Sequence, residues 1–312
     1  MSALEVRDLT VEFPTRRGVL RALDGVSFDV EQGEILGLVG ESGAGKSMTG
    51  AALMGLLEPP GRIVGGSIHL HGESVVGRAQ EFRGRHFGMV FQDPLTSLNP
   101  LKTIGAQLIE TIQWHFNLGA QQAELRARNA LAEVGLDPDR LNAYPHEFSG
   151  GMRQRVVVAL ALSAEPAVLI ADEPTTALDV SIQAQILDLL KALCRERNTA
   201  VILITHDMGV VAQTTDRVGV MYAGRLIEIG QTDQIINRPA HPYTQGLMAS
   251  TPTLAGDVST DLYQIAGSMP RLDAIPAGCA FNPRCTHVMP KCRSERPPMT
   301  GGRACWLEAT HD

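Results

Sequence analysis

Apolar and polar positions along the chain change period several times, and each change predicts an element. Residues 4–13 and 26–30 alternate apolar and polar side chains, with turn signals at Gly18 and Gly33, and predict strands. Residues 34–39 are a nearly continuous apolar run, the pattern of a buried strand, and lead into a glycine-rich turn. Helical spacing follows over residues 46–57, up to a stop at Pro59-Pro60-Gly61. Residues 63–71 predict a further strand, with Gly65-Gly66 as a turn or bulge at its start, and residues 88–92 one that ends in Gln92.

Residues 97–148 change character. Segments 103–116 and 121–134 have helical spacing with no strand between them, so this stretch reads as a helical insertion, extending to about residue 165. Alternation then resumes: strands at 167–171, 199–205, 218–221 and 226–229, with a helix at 181–196 between the first two. The expected fold class is α/β, a mixed and largely parallel sheet with helices on its faces, next to an antiparallel β-subdomain and the helical subdomain. Nine of the 18 prolines and four of the five cysteines lie in residues 237–312, so a domain of residues 1–236 and a Cys/Pro-rich C-terminal extension of residues 237–312 are expected.

Composition narrows the function classes. The 312 residues are 44% apolar and 20% charged, enough for one large domain and an extension. A net charge of −7 and only 4% aromatic residues argue against nucleic acid as a partner. The longest apolar stretch, 156–171, is interrupted by Glu165-Pro166 and is too short to span a membrane. The first residues, MSALEVRDLT, carry no secretory signal pattern, so a cytoplasmic location is expected, with any membrane role exerted through a partner.

The candidate chemistry begins at GESGAGKS: Gly40, Glu41, Ser42, Gly43, Ala44, Gly45, Lys46 and Ser47. This spacing wraps backbone N–H groups around a phosphate at the start of a helix; Lys46 would reach the β- and γ-phosphates of ATP and Ser47 would ligate Mg²⁺. Asp172 ends the apolar strand of VLIADE, where it would hold Mg²⁺, and Glu173 would act as general base on the attacking water. An Asp-Glu helix cap before Pro174 is the plainer alternative. His206 follows another strand at the sheet edge where ligands bind and reads as a γ-phosphate contact. Gln92 is a weaker candidate for Mg²⁺ or the water. Ser149, Gly150, Gly151 and Met152, in FSGGMRQR, offer a second anion site at a helix start, either for a neighbour's nucleotide or as an ordinary N-cap.

Taken in order, GESGAGKS, Gln92, FSGGMRQR, VLIADE, Ala177-Leu178-Asp179 and His206 resemble the motif set of ATP-binding cassette (ABC) ATPases. The resemblance implies a head-to-tail dimer that clamps two ATP molecules between each phosphate loop and the opposing signature. It implies adenine stacking on Phe13, coupling of the two sites by Asp179, and trans binding by Ser149–Gly151; Phe148 and Met152 depart from the commoner LSGGQ. A soluble ABC ATPase acting on nucleic acid or ribosomes is the alternative from another class; such relatives carry long coiled-coil insertions or two cassettes, and this sequence shows neither.

The tail narrows the resemblance. HPYTQGLMASTP (241–252) and IPAGCAFNPRC (275–285) are similar to the C-terminal extension of ATPases from oligopeptide/dipeptide importers, relatives of which also take up nickel and glycosides. That implies a second, different ATPase subunit, with a homodimer left open. It also implies two permeases, an extracytoplasmic solute-binding protein, and a peripheral position on the cytoplasmic face of the cell membrane. Cys279, Cys285, Cys292 and Cys305 are placed like cysteines that carry a 4Fe–4S cluster in some members. Zinc, a disulfide and free thiols remain alternatives. Cys194, on a helix with apolar neighbours, reads as a core residue.

Overall fold

A computed structural model describes residues 2–176, 178–251 and 263–307. Ala177 of the Ala-Leu-Asp motif and Pro252 of the tail motif lie outside them. The chain forms two compact units, Met1–Leu4, Val30–Ile35 and Leu70–Leu203 in one, and Glu5–Asp29, Leu36–His69 and Ile204–Asp312 in the other.

In the first unit, strand Phe87–Val90 pairs in parallel with strand Val168–Asp172, register Phe87↔Val168 to Val90↔Ala171. The run VLIA is fully buried, as expected of a parallel strand covered on both faces. Between these partners the chain is helical, as its periodicity predicts: Ile104–Phe116, Ala120–Glu133, two 3₁₀ turns at Pro138–Asn142 and Pro145–Glu147, then Gly150–Leu162. Helix Val180–Arg197 and strand Ala200–Ile204 follow. Cys194 is buried on that helix and its thiol donates to the Thr199 carbonyl, 2.7 Å, a core role as expected.

The second unit carries the hairpin Ser2–Thr15/Gly18–Glu31 and strand Arg62–Leu70 for most of their length. Strand Ile35–Val39 pairs in parallel with Arg217–Tyr222, which turns through Ala223-Gly224 into the antiparallel strand Arg225–Gln231. Helix Lys46–Leu53 is shorter than its spacing predicts. Gly55, at φ 61°, ends it, and Leu56 N–H donates back to the Ala51 carbonyl, a left-handed C-cap that acts before the prolines are reached. Helices Met208–Thr214 and Pro242–Ala249 are additional to the predicted set. Tyr222, Tyr243, Phe281, Val39, Val218, Val220 and Val211 share one buried core, against which Cys279 and Cys285 pack. The chain beyond Asn237 therefore folds onto the strand that feeds the glycine-rich loop.

Candidate active site

In the second unit, Ile35–Val39 delivers the chain into the loop 40–47 at the start of helix Lys46–Leu53. Gly40 has φ 148°, and a Cβ there would stand 2.3 Å from the Met221 carbonyl oxygen, so only glycine lets the loop cross the neighbouring strand. No side chain caps the helix, whose N-cap is Gly45. That leaves its positive end to an anion. Lys46 is buried and its Nζ donates to the Gly40 and Glu41 carbonyls, 2.8 and 3.1 Å, holding the ammonium within the loop. Ser42, Gly43 and Ser47 are exposed and Ala44 is buried. Glu41 instead faces the C-terminal extension: its N–H donates to the Tyr243 hydroxyl, 2.9 Å, and its carboxylate pairs with Arg284, 3.0 Å. His206 is exposed just past strand Ala200–Ile204. Its neighbour Asp207 caps helix Met208–Thr214 by accepting from Gly209 and Val210 N–H. Phe13 is half-buried, its ring over Gly61, where an added Cβ would stand 2.5 Å from the ring.

In the first unit, the in-register pairing carries two side chains to one place. Strand Phe87–Val90 ends two residues before Gln92, and the matching position on its partner is Ala171, two residues before Glu173. Gln92 Nε2 donates to Glu173 Oε2, 3.1 Å, and Thr176 Oγ1 donates to the same oxygen, 2.9 Å. Glu173 has φ 46°, a left-handed conformation that costs a non-glycine residue of order 1–3 kcal/mol and that turns the carboxylate out of the strand direction. Asp172 is the half-buried last residue of the strand.

Ser149 is the exposed N-cap of helix Gly150–Leu162 and its Oγ accepts from Met152 N–H, 3.4 Å; Gly150 is exposed, Gly151 and Met152 half-buried. Arg140 lies over the buried Phe148 ring, 4.2 Å from its centroid, and fixes the turn before the helix. Asp179 caps helix Val180–Arg197 through Ile182 N–H, 2.9 Å.

Two stretches of the chain are matched by known families. Residues 23–176 fit the ABC transporter family and residues 227–292 the oligopeptide/dipeptide transporter C-terminal region. An oligopeptide transport ATP-binding protein OppD of Bacillus subtilis is 49% identical over 303 residues, 95% of this chain and 85% of that protein. The chain belongs to the ABC transporter family. It is an ABC-type ATPase of the oligopeptide/dipeptide branch. OppD of Haemophilus influenzae is 46% identical, covering 98% of this chain and 97% of its own. Among solved structures, the ADP- and phosphate-bound dimer of the cassette MJ0796 has a TM-score of 0.66 at 25% identity. It covers 73% of this chain and 98% of that one. CbiO1 of Clostridium perfringens has a TM-score of 0.67 at 28% identity, covering 76% and 91%. Among the described residues of this ABC ATPase, no helix is long and apolar enough to cross a membrane.

The extension of this ABC ATPase brings its four cysteines to one narrow pocket. Cys279, Cys285, Cys292 and Cys305 line it together with His241, Phe281 and Trp306. None of them is in a disulfide, and among the described residues no three His, Cys, Asp or Glu side chains stand close enough to share one metal ion. Burial pushes the Cys279 thiol up to about 11, and raises Cys285 and Cys305 as well. His241 is 1% exposed and burial lowers it to about 4, so the ring is neutral. Its Nδ1 accepts from Tyr243 N–H, 3.0 Å, which puts the ring proton on Nε2, a buried donor with no partner among the described residues.

Proposed function

We propose that this ATPase powers a membrane importer for peptides. It works as one of two ATPase subunits on two permeases at the cytoplasmic face of the membrane, with a solute-binding protein supplying the solute from outside. Residues 1–236 serve as the ATPase and 237–312 as the extension. The observation that carries the hydrolytic part is the Gln92–Glu173 contact at the end of two in-register strands. The match of the extension to the oligopeptide/dipeptide region supports the peptide substrate.

ATP is held on Gly40–Ser47 with Lys46 on its β- and γ-phosphates, Phe13 against the adenine and His206 toward the γ-phosphate. Glu173, its carboxylate oriented by Gln92 and Thr176, takes the proton of the attacking water. The oxygen donors Ser47, Gln92 and Asp172 suit Mg²⁺, which prefers hard ligands and would neutralise charge on the phosphates when bound. Ser149, Gly150, Gly151 and Met152 serve the partner's ATP in trans, and Asp179 links the two sites. Binding energy gained only in the closed pair moves the helical subdomain, which acts on the permeases.

Helix Ile104–Phe116 offers a contact for that movement. Trp114 is 84% exposed beside a groove lined by Lys102, Gln107 and Thr111. Purification in mild detergent is expected to bring two permeases and a second ATPase with this chain, and Trp114→Ala to lower the permease yield several-fold without loss of ATP binding. Isolation of the wild-type chain free of any permease sinks the importer reading.

A 4Fe–4S cluster on the four tail cysteines is the second reading. What supports this reading is one narrow pocket lined by all four thiols, beside a His241 Nε2–H that has no partner among the described residues and suits a cluster sulfur as acceptor; the thiols are not gathered around a single ion. The cysteines would hold the cluster as thiolates, and the cluster would supply a one-electron redox centre. Anaerobically purified protein is then expected to contain about four irons per chain, with visible charge-transfer absorption that is lost in Cys292→Ser. A colourless, iron-free protein of full activity removes it.

A further inference from the structure

We propose that Tyr243 and Arg284, both from the C-terminal extension, are positioning residues for the phosphate loop, so that the extension sets the affinity of the site for ATP. This rests on the reading of Gly40–Ser47 as the ATP cradle.

Two contacts hold one residue of the loop. The Tyr243 hydroxyl accepts from Glu41 N–H at 2.9 Å, and Arg284 Nη1 donates to Glu41 Oε2 at 3.0 Å. Glu41 N–H is therefore spent on the extension, and its carbonyl on Lys46. What Glu41 does is fix the entry of the loop, from which the following amides and the Lys46 ammonium are aimed.

Both clamp residues are themselves over-determined. Tyr243 is fully buried, edge-on to Tyr222 at 4.7 Å and to Phe281 at 5.3 Å between ring centroids. The Arg284 side chain is 7% exposed, and its other N–H groups donate to the carbonyls of Ala266, 2.9 Å, Ile265, 3.4 Å, and Gly267, 3.5 Å, and to the Tyr222 hydroxyl, 3.5 Å. Its guanidinium stands 5.8 and 5.9 Å from the Tyr222 and Phe281 ring centroids. Rigid partners of this kind order the loop before the nucleotide arrives, so that less conformational freedom is lost at binding.

Charge gives the pair a second effect. A carboxylate in a loop that wraps a triphosphate repels its ligand, and at the partly buried position of Glu41 water screens that repulsion incompletely. Arg284 neutralises the Glu41 carboxylate and holds it against the extension. The clamp therefore opposes repulsion as well as disorder, and both effects act on binding rather than on the water-activating carboxylate.

The test compares the full-length wild type with Arg284→Gln, Tyr243→Phe, Arg284→Gln/Glu41→Gln and Lys46→Ala. It reads affinity for a fluorescent ATP analogue, KM and kcat in the assembled complex, and melting temperature. Arg284→Gln and Tyr243→Phe are expected to raise Kd and KM about five- to tenfold, the range for losing one hydrogen bond or ion contact, with kcat within about twofold. The double variant is expected to bind no worse than Arg284→Gln alone, because both changes remove one contact. Tyr243→Phe keeps the buried ring and carries the test if Arg284→Gln fails to fold. Unchanged affinity in Tyr243→Phe and Arg284→Gln, or a further additive loss in the double variant, overturns the clamp. Lys46→Ala separates the two readings: if it loses ATP while the clamp variants bind normally, the clamp alone is wrong, and if it binds ATP like the wild type, the cradle is wrong.

Discussion

Glu173→Gln is expected to lower steady-state ATP hydrolysis about 10²–10³-fold while leaving ATP affinity unchanged, the effect of removing a general base. The substitution is close to isosteric. The amide oxygen still accepts from Gln92 or Thr176, and the left-handed backbone at this position suits glutamine no less than glutamate. What disappears is the charge and the ability to take a proton from water. With ATP bound and turnover stopped, the complex accumulates in its closed, paired form, which size-exclusion chromatography in the presence of ATP detects as a dimer. Hydrolysis at the wild-type rate would exclude Glu173 as the base. Loss of nucleotide binding would instead give it a place in holding the phosphates.

Ser149→Arg carries the second large effect. The present hydrogen bond from Met152 N–H is long, 3.4 Å, and losing an N-cap costs typically about 1 kcal/mol, a small part of domain stability. The exposed arginine fills the space at the start of helix Gly150–Leu162 and blocks access of a partner's phosphate. Hydrolysis by the assembled complex is expected to fall about 10²-fold at the site facing this residue, the scale for losing a preorganised donor to developing charge. The isolated subunit should bind ATP like the wild type. If its own ATP affinity collapses, Ser149 serves its own chain and the trans assignment is wrong.

Much of the candidate site's placement was legible because it is written locally. Glycine spacing with Lys46-Ser47, the apolar run before Asp172, and Ser-Gly-Gly at a helix start each express chemistry within a few residues. Even the helical insertion could be read, since 3.6-residue periodicity without an intervening strand has one simple solution. The length of helix Lys46–Leu53 was not, because the prolines hid Gly55, a nearer C-cap. Helix Pro242–Ala249 carries local start signals, His241 as cap and proline at the first helical position, within a proline-rich stretch whose composition points away from a helix. The Tyr243 and Arg284 contacts with Glu41 lie at separations of 202 and 243 residues, and no periodicity encodes a pairing at that range. Nor does any local pattern show that Glu173 takes a left-handed backbone, or that four spaced cysteines face one pocket.

The parallel register Val90↔Ala171 has a consequence for how such a subunit can diversify. The chain leaves one strand at its carboxyl end, opposite Ala171, and enters the parallel neighbour at its amino end, opposite Phe87, so the intervening helical segment has both ends pinned by the same strand pair. Closing a longer or shorter excursion between fixed ends changes the free energy only logarithmically with length. That segment can be resized or exchanged to suit a different permease while Gln92 and Glu173 stay in register. A single residue gained or lost inside either strand would have the opposite outcome, turning the following side chains to the other face. Adaptability and chemistry are thus separated along the chain, with Gln92 two residues past the end of one strand and Glu173 directly after the end of the other.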